Sequence, residues 1–395
     1  MQKSLSGVNI EFVGNRIINV GEEIIPRGST CRCYFCVVKD SCGNEEKKLL
    51  KEFAPKEFEL FLTEDGFTRT ISSEKVFFEK RFIDYFDRMS KVRSILLKTI
   101  NTDNTLKRYI FVPPDSVLNQ KCIDSITVFN SEDSKYCYLQ LFDYDDTAFS
   151  NKINSLSIKE RLEALINLSK IINEFHKNNL LIADIKPDNF VFDSDGIGNS
   201  LKLFDFDSVL DLNKPLEAKN ITCSQPWAPF ELQSKLISKI SLTSDLYSLG
   251  VMLLYFVMYD CFDDDKEYKL EQALMWNFNL NKEINAAYDP FIIENYKRIN
   301  EKDKFITIGF WNKLKDIFYT TTNKRNPKKR YYEKFNLPVE YFIEQLNILL
   351  EIYENIGVHP EVMLNNAIKD VQNNEQYSQE NFDPDLFTEI EVVND

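Results

Sequence analysis

The sequence predicts an α+β protein with a strand-rich first part and a mainly helical remainder. Residues 31–40 and 47–53 are rich in strand formers, and a turn-like Ser-Cys-Gly-Asn at 41–44 separates them. Residues 74–98 and 158–177 carry apolar side chains at three- and four-residue steps, which is typical of amphipathic helices. With 395 residues and 43% hydrophobic content, the chain is long enough for two lobes with substantial cores.

Turn residues and apolar periodicity divide the first part of the chain into short elements. The predicted order is strands over 22–26, 31–40 and 47–53, a helix over 74–98, an insertion of loop and short strand over 100–120, and a hairpin of 123–129 with 135–141. The second part opens with the helix over 158–177. The apolar run from Leu246 to Tyr259 is shorter than the ~18–20 residues that span a bilayer, so we expect a buried core helix there.

The charge of the chain is concentrated near its end. Residues 351–395 contain eleven acids against one lysine, and the net charge of the whole chain is −14. An acidic body gives no electrostatic attraction for nucleic acid or an anionic membrane, so neither partner is expected. The acidic tail is interpreted as a solvated segment, with the alternative that Phe382, Leu386 and Phe387 dock into a groove.

The eight cysteines lack the framework of a small secreted protein and favour reduced thiols in the cytoplasm. Met1-Gln2-Lys3 is followed by polar residues, so no signal peptide is expected. Cys31, Cys33, Cys36 and Cys42 are close enough in sequence to suggest zinc. We favour ordinary thiols, because strand alternation places Cys36 on the face opposite to Cys31 and Cys33, with no histidine nearby.

The strongest chemical signal is Asp184-Ile185-Lys186-Pro187-Asp188-Asn189, followed after a strand-like segment by Asp205-Phe206-Asp207. This spacing suits phosphoryl transfer to a hydroxyl. Asp184 can orient and deprotonate the attacking hydroxyl, and Lys186 can neutralise the moving phosphate. Asn189 and Asp205 supply the oxygen ligands that Mg²⁺ prefers.

These motifs resemble those of the eukaryotic-like protein kinase superfamily, and three further segments extend the resemblance. Trp227-Ala228-Pro229-Phe230-Glu231 resembles the end of an activation segment, and Asp245-Leu246-Tyr247-Ser248-Leu249-Gly250 the start of the central helix of the large lobe. Asn326-Pro327-Lys328-Lys329-Arg330 is similar to the late element whose arginine pairs with the acid at Glu231. The resemblance covers roughly residues 15–345.

The resemblance implies a bilobal, kinase-like α+β fold with a β-rich N-lobe and a mainly helical C-lobe. The N-lobe would comprise residues 1–141, the C-lobe residues 142–350 and the acidic tail residues 351–395. It also implies that Asp245 accepts backbone hydrogen bonds from the catalytic loop and that Glu231 pairs with Arg330.

The resemblance further implies an ATP site between the lobes. Lys51 matches the third-strand lysine that grips the phosphates, and the helix over 74–98 would supply an acid to pair with it. Glu79 is favoured over Asp87 for that acid. The remaining nucleotide-binding positions are a phosphate loop of Gly28, Ser29 and Thr30, and a hinge of Leu141, Phe142, Asp143 and Tyr144.

The sequence departs from the family pattern in three segments. Gly28 is the one glycine of the usual three in the phosphate loop, and Ile182 and Ala183 replace the histidine and arginine before Asp184. The missing arginine would read a phosphorylated activation loop, so we expect a rate independent of such phosphorylation. Asp207 replaces the glycine after Asp205-Phe206 and adds a charge beside the metal position. This non-RD, Asp-Phe-Asp pattern resembles bacterial Ser/Thr protein kinase-like proteins, including effectors delivered into another cell.

The resemblance implies transfer of the γ-phosphate of ATP to a protein hydroxyl, with ATP and Mg²⁺ as cofactors and a protein as substrate. Lys186 favours Ser/Thr over Tyr substrates, and Ser224 is expected to bridge Asp184 and Lys186. Two alternatives remain open: a pseudokinase that serves as a binding scaffold, and a kinase fold with another transfer activity such as adenylylation.

Overall fold

The computed structural model describes residues 4–25, 29–143, 156–193, 200–203, 205–224, 227–258, 308–322 and 339–354. Its first part is an antiparallel sheet in the order β1-β2-β3-β4-β8-β6-β5, with β7 paired to β8. The strands are β1 Asn9–Phe12, β2 Arg16–Glu23, β3 Cys31–Lys39, β4 Glu45–Phe53, β5 Leu60–Leu62, β6 Arg69–Ile71, β7 Ser125–Asn130 and β8 Lys135–Asp143. This strand-rich part and the helical remainder confirm the predicted α+β class.

The sheet differs from the sequence prediction at its edges. The strand predicted over 22–26 is displaced, because buried Ile18 and Val20 alternate with exposed neighbours and place β2 over Arg16–Glu23. Strand β1 and the β5–β6 hairpin were not predicted. The predicted β3, β4, β7 and β8 are present, with ends that shift by a few residues.

One long helix, α1 Lys75–Thr102, packs against the sheet. Phe78, Phe82, Tyr85 and Met89 are buried on its inner face. These positions recur at steps of three and four residues, so they form one stripe along the helix. The stripe fixes which side of α1 faces the sheet.

The second part is mainly helical, with helices α2 Ile158–His176, α3 Phe230–Gln233, α4 Thr243–Met258, α5 Ile308–Thr321 and α6 Val339–Glu354. A capping box of Ser157 and Glu160 begins α2, which packs against both α4 and α6. Two antiparallel pairs of short strands lie between α2 and α3: β9 Leu180–Leu181 with β12 Leu210–Asp211, and β10 Phe190–Asp193 with β11 Ser200–Leu203.

Within the part of the chain that the structure describes, no helix is both long enough and apolar enough to cross a bilayer. The described residues also contain no group of three or more His, Cys, Asp or Glu side chains arranged to hold a metal ion. Cys31 and Cys36 are buried and unbridged.

Candidate active site

Asp245, at the start of α4, anchors the loop that carries Asp184 through hydrogen bonds to its backbone. The Asp245 carboxylate accepts hydrogen bonds from the backbone N–H groups of Ile182 and Ala183, both at 2.9 Å. Ala183 has φ +70°, in a left-handed region that costs a residue with a Cβ about 1–2 kcal/mol. His176 Nε2 lies 3.0 Å from the same carboxylate. These contacts confirm the anchoring role predicted for Asp245.

The two oxygens of the Asp184 side chain differ in their contacts. Its Oδ2 lies 3.3 Å from Lys186 Nζ and accepts a hydrogen bond from Ser224 Oγ at 3.4 Å. Lys186 Nζ donates to Ser224 Oγ at 2.7 Å, so Ser224 bridges the two as the sequence predicted. Asp184 Oδ1 is buried and has no hydrogen-bond partner among the described residues. An unsatisfied buried acceptor is rare, and here it marks a position for a donor such as a hydroxyl.

The surroundings of Asp184 alter its acidity. Burial raises the pKa of the Asp184 carboxyl above its ordinary value, although Lys186 and Ser224 act in the opposite direction. A carboxylate with a raised pKa accepts a proton more readily than an exposed aspartate does. The geometry and the acidity both suit Asp184 as a proton acceptor.

Asn189 and Asp205 are the residues that would hold Mg²⁺. Asn189 closes the 3-10 turn Pro187–Asn189 and is buried, and its Nδ2 donates to the backbone oxygen of Asp184 at 2.5 Å. This bond orients the amide so that Oδ1 is the atom left for a cation. The Asp205 side chain is 30% exposed, as a ligand that faces a cleft should be. The all-oxygen donor set fits a hard cation.

Lys51 lies on β4, opposite Cys33 of β3 and Gln140 of β8. Its Nζ contacts Asp205 Oδ1 at 2.8 Å and Asp207 Oδ1 at 2.7 Å, so two carboxylates share one ammonium group. Burial acts to lower the pKa of Lys51, but the charges of Asp205 and Asp207 outweigh it and raise the pKa well above its ordinary value. The lysine is therefore charged at neutral pH.

The structure does not place either predicted helix acid beside Lys51. Glu79 accepts hydrogen bonds from Tyr136 at 2.5 Å and Ser131 at 2.7 Å, and Asp87 is exposed. Glu79 therefore faces the β7–β8 turn. The prediction that Glu79 pairs with Lys51 is therefore wrong.

Tyr85 is the α1 residue that reaches the cluster, because its hydroxyl donates to Asp207 Oδ1 at 2.7 Å. Sequence reasoning missed this contact, since it looked for an acid on the helix. The buried stripe of Phe78, Phe82 and Met89 was the available signal. Tyr85 lies on that stripe and no acid does.

The predicted nucleotide-binding positions are only partly described. Gly28 and Tyr144 lie outside the described residues. Ser29 is exposed, Thr30 is buried, and their backbone oxygens accept hydrogen bonds from the amides of Lys56 and Ala54, both at 3.0 Å. These bonds fix the start of β3 against the end of β4.

The predicted hinge residues Leu141, Phe142 and Asp143 are the last residues of β8. The Leu141 amide donates to the Asp124 oxygen at 2.8 Å, so the sheet already uses it and it is not free to contact adenine. Of the predicted Glu231–Arg330 pair, Glu231 is buried and accepts a hydrogen bond from Ser244 at 2.8 Å, whereas Arg330 lies outside the described residues.

Comparison with protein-family models identifies a domain in the chain. Residues 115–331 match the family model of the protein kinase domain. The matched range includes Asp184, Asn189, Asp205 and Glu231, whereas Lys51 precedes it. A search of curated proteins gave no match.

Two solved structures from Mycobacterium tuberculosis also match, a double mutant and a single mutant of the PknI kinase domain. The double mutant is 13% identical, covers 89% of this chain and 100% of its own, and has a TM-score of 0.41. The single mutant is 13% identical, covers 88% of this chain and 99% of its own, and has a TM-score of 0.43. Because the family model spans more than half of the chain, the chain belongs to the protein kinase domain family.

Proposed function

We propose that the protein is an ATP-dependent Ser/Thr protein kinase that transfers the γ-phosphate of ATP to a protein hydroxyl. The observation that carries this proposal is the buried Oδ1 of Asp184, which has no hydrogen-bond partner among the described residues and lies beside the bridge of Lys186 and Ser224. A scaffold that only binds a partner has no physical need for an unsatisfied carboxylate oxygen in its interior.

Asp184 would act through the two oxygens in different ways. Oδ2 is held by Lys186 and Ser224, so the carboxylate keeps its orientation. Oδ1 accepts the hydrogen bond of the substrate hydroxyl and then its proton as the oxygen attacks the γ-phosphorus. The new bond joins the hydroxyl oxygen to that phosphorus, and the bond to the β,γ-bridging oxygen breaks to release ADP.

The positive charges of the site are placed to stabilise the transferred group. Lys186, 20% exposed, lies next to the base and can neutralise charge on the moving phosphate. Lys51 supplies a second ammonium group from β4, in contact with Asp205 at 2.8 Å. When bound to Asn189 and Asp205, Mg²⁺ would supply charge neutralisation and fix the phosphates in line.

The preference for Ser/Thr is supported by the same bridge. Lys186 donates to Ser224 Oγ at 2.7 Å, and the pair occupies the space next to Asp184 Oδ2. A short aliphatic hydroxyl can approach Oδ1 beside this bridge. The Lys186-Pro187 pair also resembles the pattern of protein kinases more than that of small-molecule kinases.

The test is transfer of label from γ-³²P-ATP with Mg²⁺ to a generic protein substrate, followed by phosphoamino acid analysis. We expect phosphoserine or phosphothreonine, and a loss of about 10²–10⁴-fold in Asp184→Asn because proton transfer is removed. Asp188→Asn is the matched control, since Asp188 is exposed in the same loop. Its rate should stay within about twofold of wild type, as is usual for a surface change.

Three outcomes would contradict the proposal. Phosphotyrosine alone would overturn the Ser/Thr preference. Transfer of label from α-³²P-ATP would indicate adenylylation instead. Binding of ATP without any transfer by the wild type would indicate a pseudokinase scaffold.

A further inference from the structure

The acid that accompanies Lys51 comes from an unexpected element. Among the described residues, the carboxylates within 4 Å of Lys51 Nζ belong to Asp205 and Asp207. Both follow β11, and neither is on α1. The helix instead contributes the Tyr85 hydroxyl, which bonds to Asp207 and not to the lysine.

The two carboxylates are suited to different tasks. Asp205 is 30% exposed and also accepts a hydrogen bond from the Asp207 amide at 3.1 Å. Asp207 is 11% exposed and is held by Tyr85 at 2.7 Å. Asp205 is therefore accessible to a cation from solvent, whereas Asp207 is enclosed. An enclosed anion remains with the lysine when the exposed anion is drawn to another charge.

We propose that Asp207 is a positioning residue of the active site, which together with Tyr85 fixes Lys51 in place and couples helix α1 to the cleft. The inference rests on the proposed kinase function and deepens it. The carboxylate that pairs with Lys51 lies in the segment after Asp205 and not on α1. The α1 residue that faces this carboxylate is a tyrosine, Tyr85. Lys51 Nζ, Asp207 Oδ1 and the Tyr85 hydroxyl form a continuous chain of contacts at 2.7 Å each.

The arrangement is electrostatically consistent. Burial acts to raise the pKa of the Asp207 carboxyl, but Lys51 and hydrogen bonds from Lys51, Tyr85 and Cys31 outweigh it and lower the pKa. The Cys31 thiol lies 3.4 Å from the Tyr85 hydroxyl, which helps to close the cluster on the side of β3.

Further contacts tie α1 to the same segment. Lys91 pairs with Asp211 at 2.8 Å and Lys80 pairs with Glu217 at 2.9 Å. Arg81 donates to Asn220. The helix and the segment from Asp207 onward are therefore joined at several points. A shift of α1 would change the position of Asp207 and, through it, of Lys51.

The experiment compares the full chain with Asp207→Asn, which keeps the shape and removes the charge, and Tyr85→Phe, which removes one hydroxyl. The measurements are kcat and KM for ATP, the Kd for Mg–ATP by calorimetry, and the melting temperature. We expect Asp207→Asn to lower kcat about 10–100-fold, since a misplaced catalytic group costs up to about 10²-fold. The Kd should rise less, about three- to tenfold, and Tyr85→Phe should have a smaller effect in the same direction.

A more specific test places a carboxylate on α1 in place of the one at Asp207. The double variant Asp207→Gly with Tyr85→Glu should recover at least about tenfold in kcat over Asp207→Gly alone, because a carboxylate again faces Lys51. Glu354→Gln is the control. It also removes an acid that pairs with a lysine, Lys159 at 2.5 Å, but the pair joins α6 to α2 and takes no part in the contacts of α1, so kcat should stay within about twofold.

The outcomes separate this inference from the proposed function. Wild-type transfer with kcat and Kd of Asp207→Asn within about twofold would overturn the positioning role alone. A loss that appears only as a lower melting temperature, with kcat of the folded protein unchanged, would also overturn it. If the wild type transfers no phosphate, the kinase proposal fails, and the Kd of Asp207→Asn still decides whether Asp207 positions Lys51.

Discussion

Two buried ionic clusters occupy opposite faces of strand β4, at the adjacent residues Lys51 and Glu52. Glu52 receives two hydrogen bonds from Arg69, at 2.5 and 2.9 Å, and one from Tyr34 at 2.9 Å. The Glu52 and Arg69 side chains are 2% and 3% exposed. Lys51 instead has two carboxylate partners, and one of them, Asp205, is 30% exposed. Each cluster contains a tyrosine, so the clusters differ mainly in charge balance and access.

We interpret the difference as that between a structural ion pair at Glu52 and, under the proposed kinase function, a functional one at Lys51. The Glu52 cluster contains one positive and one negative charge, is closed to solvent, and has every charged group paired. In the Lys51 cluster two carboxylates contact one ammonium group, and Asp205 is open to solvent. Two carboxylates on one ammonium group favour the approach of a further cation, which the proposed magnesium-nucleotide site would provide.

The largest effect on stability is expected for the Glu52 cluster, which is closed to solvent. Glu52→Gln leaves the Arg69 charge buried without its anion, so the free energy of unfolding should fall by about 3–5 kcal/mol. Urea unfolding followed by fluorescence measures it. Replacing both partners, with Glu52→Leu and Arg69→Met, should return most of the loss, because an apolar pair strands no charge. A loss below ~1 kcal/mol for Glu52→Gln would show that the closed cluster is not structural.

The next largest effect is expected for the Lys51 cluster and should appear in the rate of phosphate transfer. Lys51→Met removes an ammonium group from the phosphate site, so kcat/KM should fall about 10²–10³-fold. Lys47→Met is the matched control on the same strand, since Lys47 is exposed and outside the cleft. Wild-type phosphate transfer by Lys51→Met would show that the Lys51 cluster has no role in the reaction.

The parts of the site that could be predicted from sequence are those fixed by short local spacing. Asp184, Lys186 and Asn189 lie within one loop, so the hexapeptide alone brings them together. Ser224 and Asp245 followed from the motif order, and the structure places both as expected. Lys51 was identified by its place on the strand after the first hairpin.

The partner of Lys51 could not be predicted in the same way. It depends on the rotation of α1 against the sheet, and the sequence offers both Tyr85 and Phe86 to the apolar stripe. Packing buries Tyr85 and leaves Phe86 half-buried, which turns Glu79 towards the β7–β8 turn. The β5–β6 hairpin was missed for another reason, since three-residue strands are too short to show a period of two.

A smaller effect should test the pairing of two carboxylates with one ammonium group. Asp205→Asn removes one of the two carboxylates on Lys51 and keeps an oxygen for the Asp207 amide. The free energy of unfolding should therefore hold or rise by up to ~1 kcal/mol, although phosphate transfer is lost. Differential scanning fluorimetry with and without Mg–ATP measures this, and the ligand-induced shift in melting temperature should disappear. A clear drop in melting temperature would show that both acids are needed for the fold.

The smallest effect is expected in the activation segment. The hydroxyls of Ser208 and Thr222 share one hydrogen bond of 2.9 Å. Ala183, which replaces the usual arginine, has no positive charge to bind a phosphate on either hydroxyl. The pairs of Lys91 with Asp211 and Lys80 with Glu217 already hold this segment against α1. Substituting Ser208→Ala and Thr222→Ala together should therefore leave kcat within about twofold.

Phosphatase treatment of the wild-type protein should likewise leave the rate unchanged, and this arm needs no substitution. A rate that falls after dephosphorylation and recovers on incubation with ATP would show that a phosphate supplies part of the ordering. The ion pairs from α1 would then be insufficient, and the charge that positions the segment would come from modification and not from the residues of the chain.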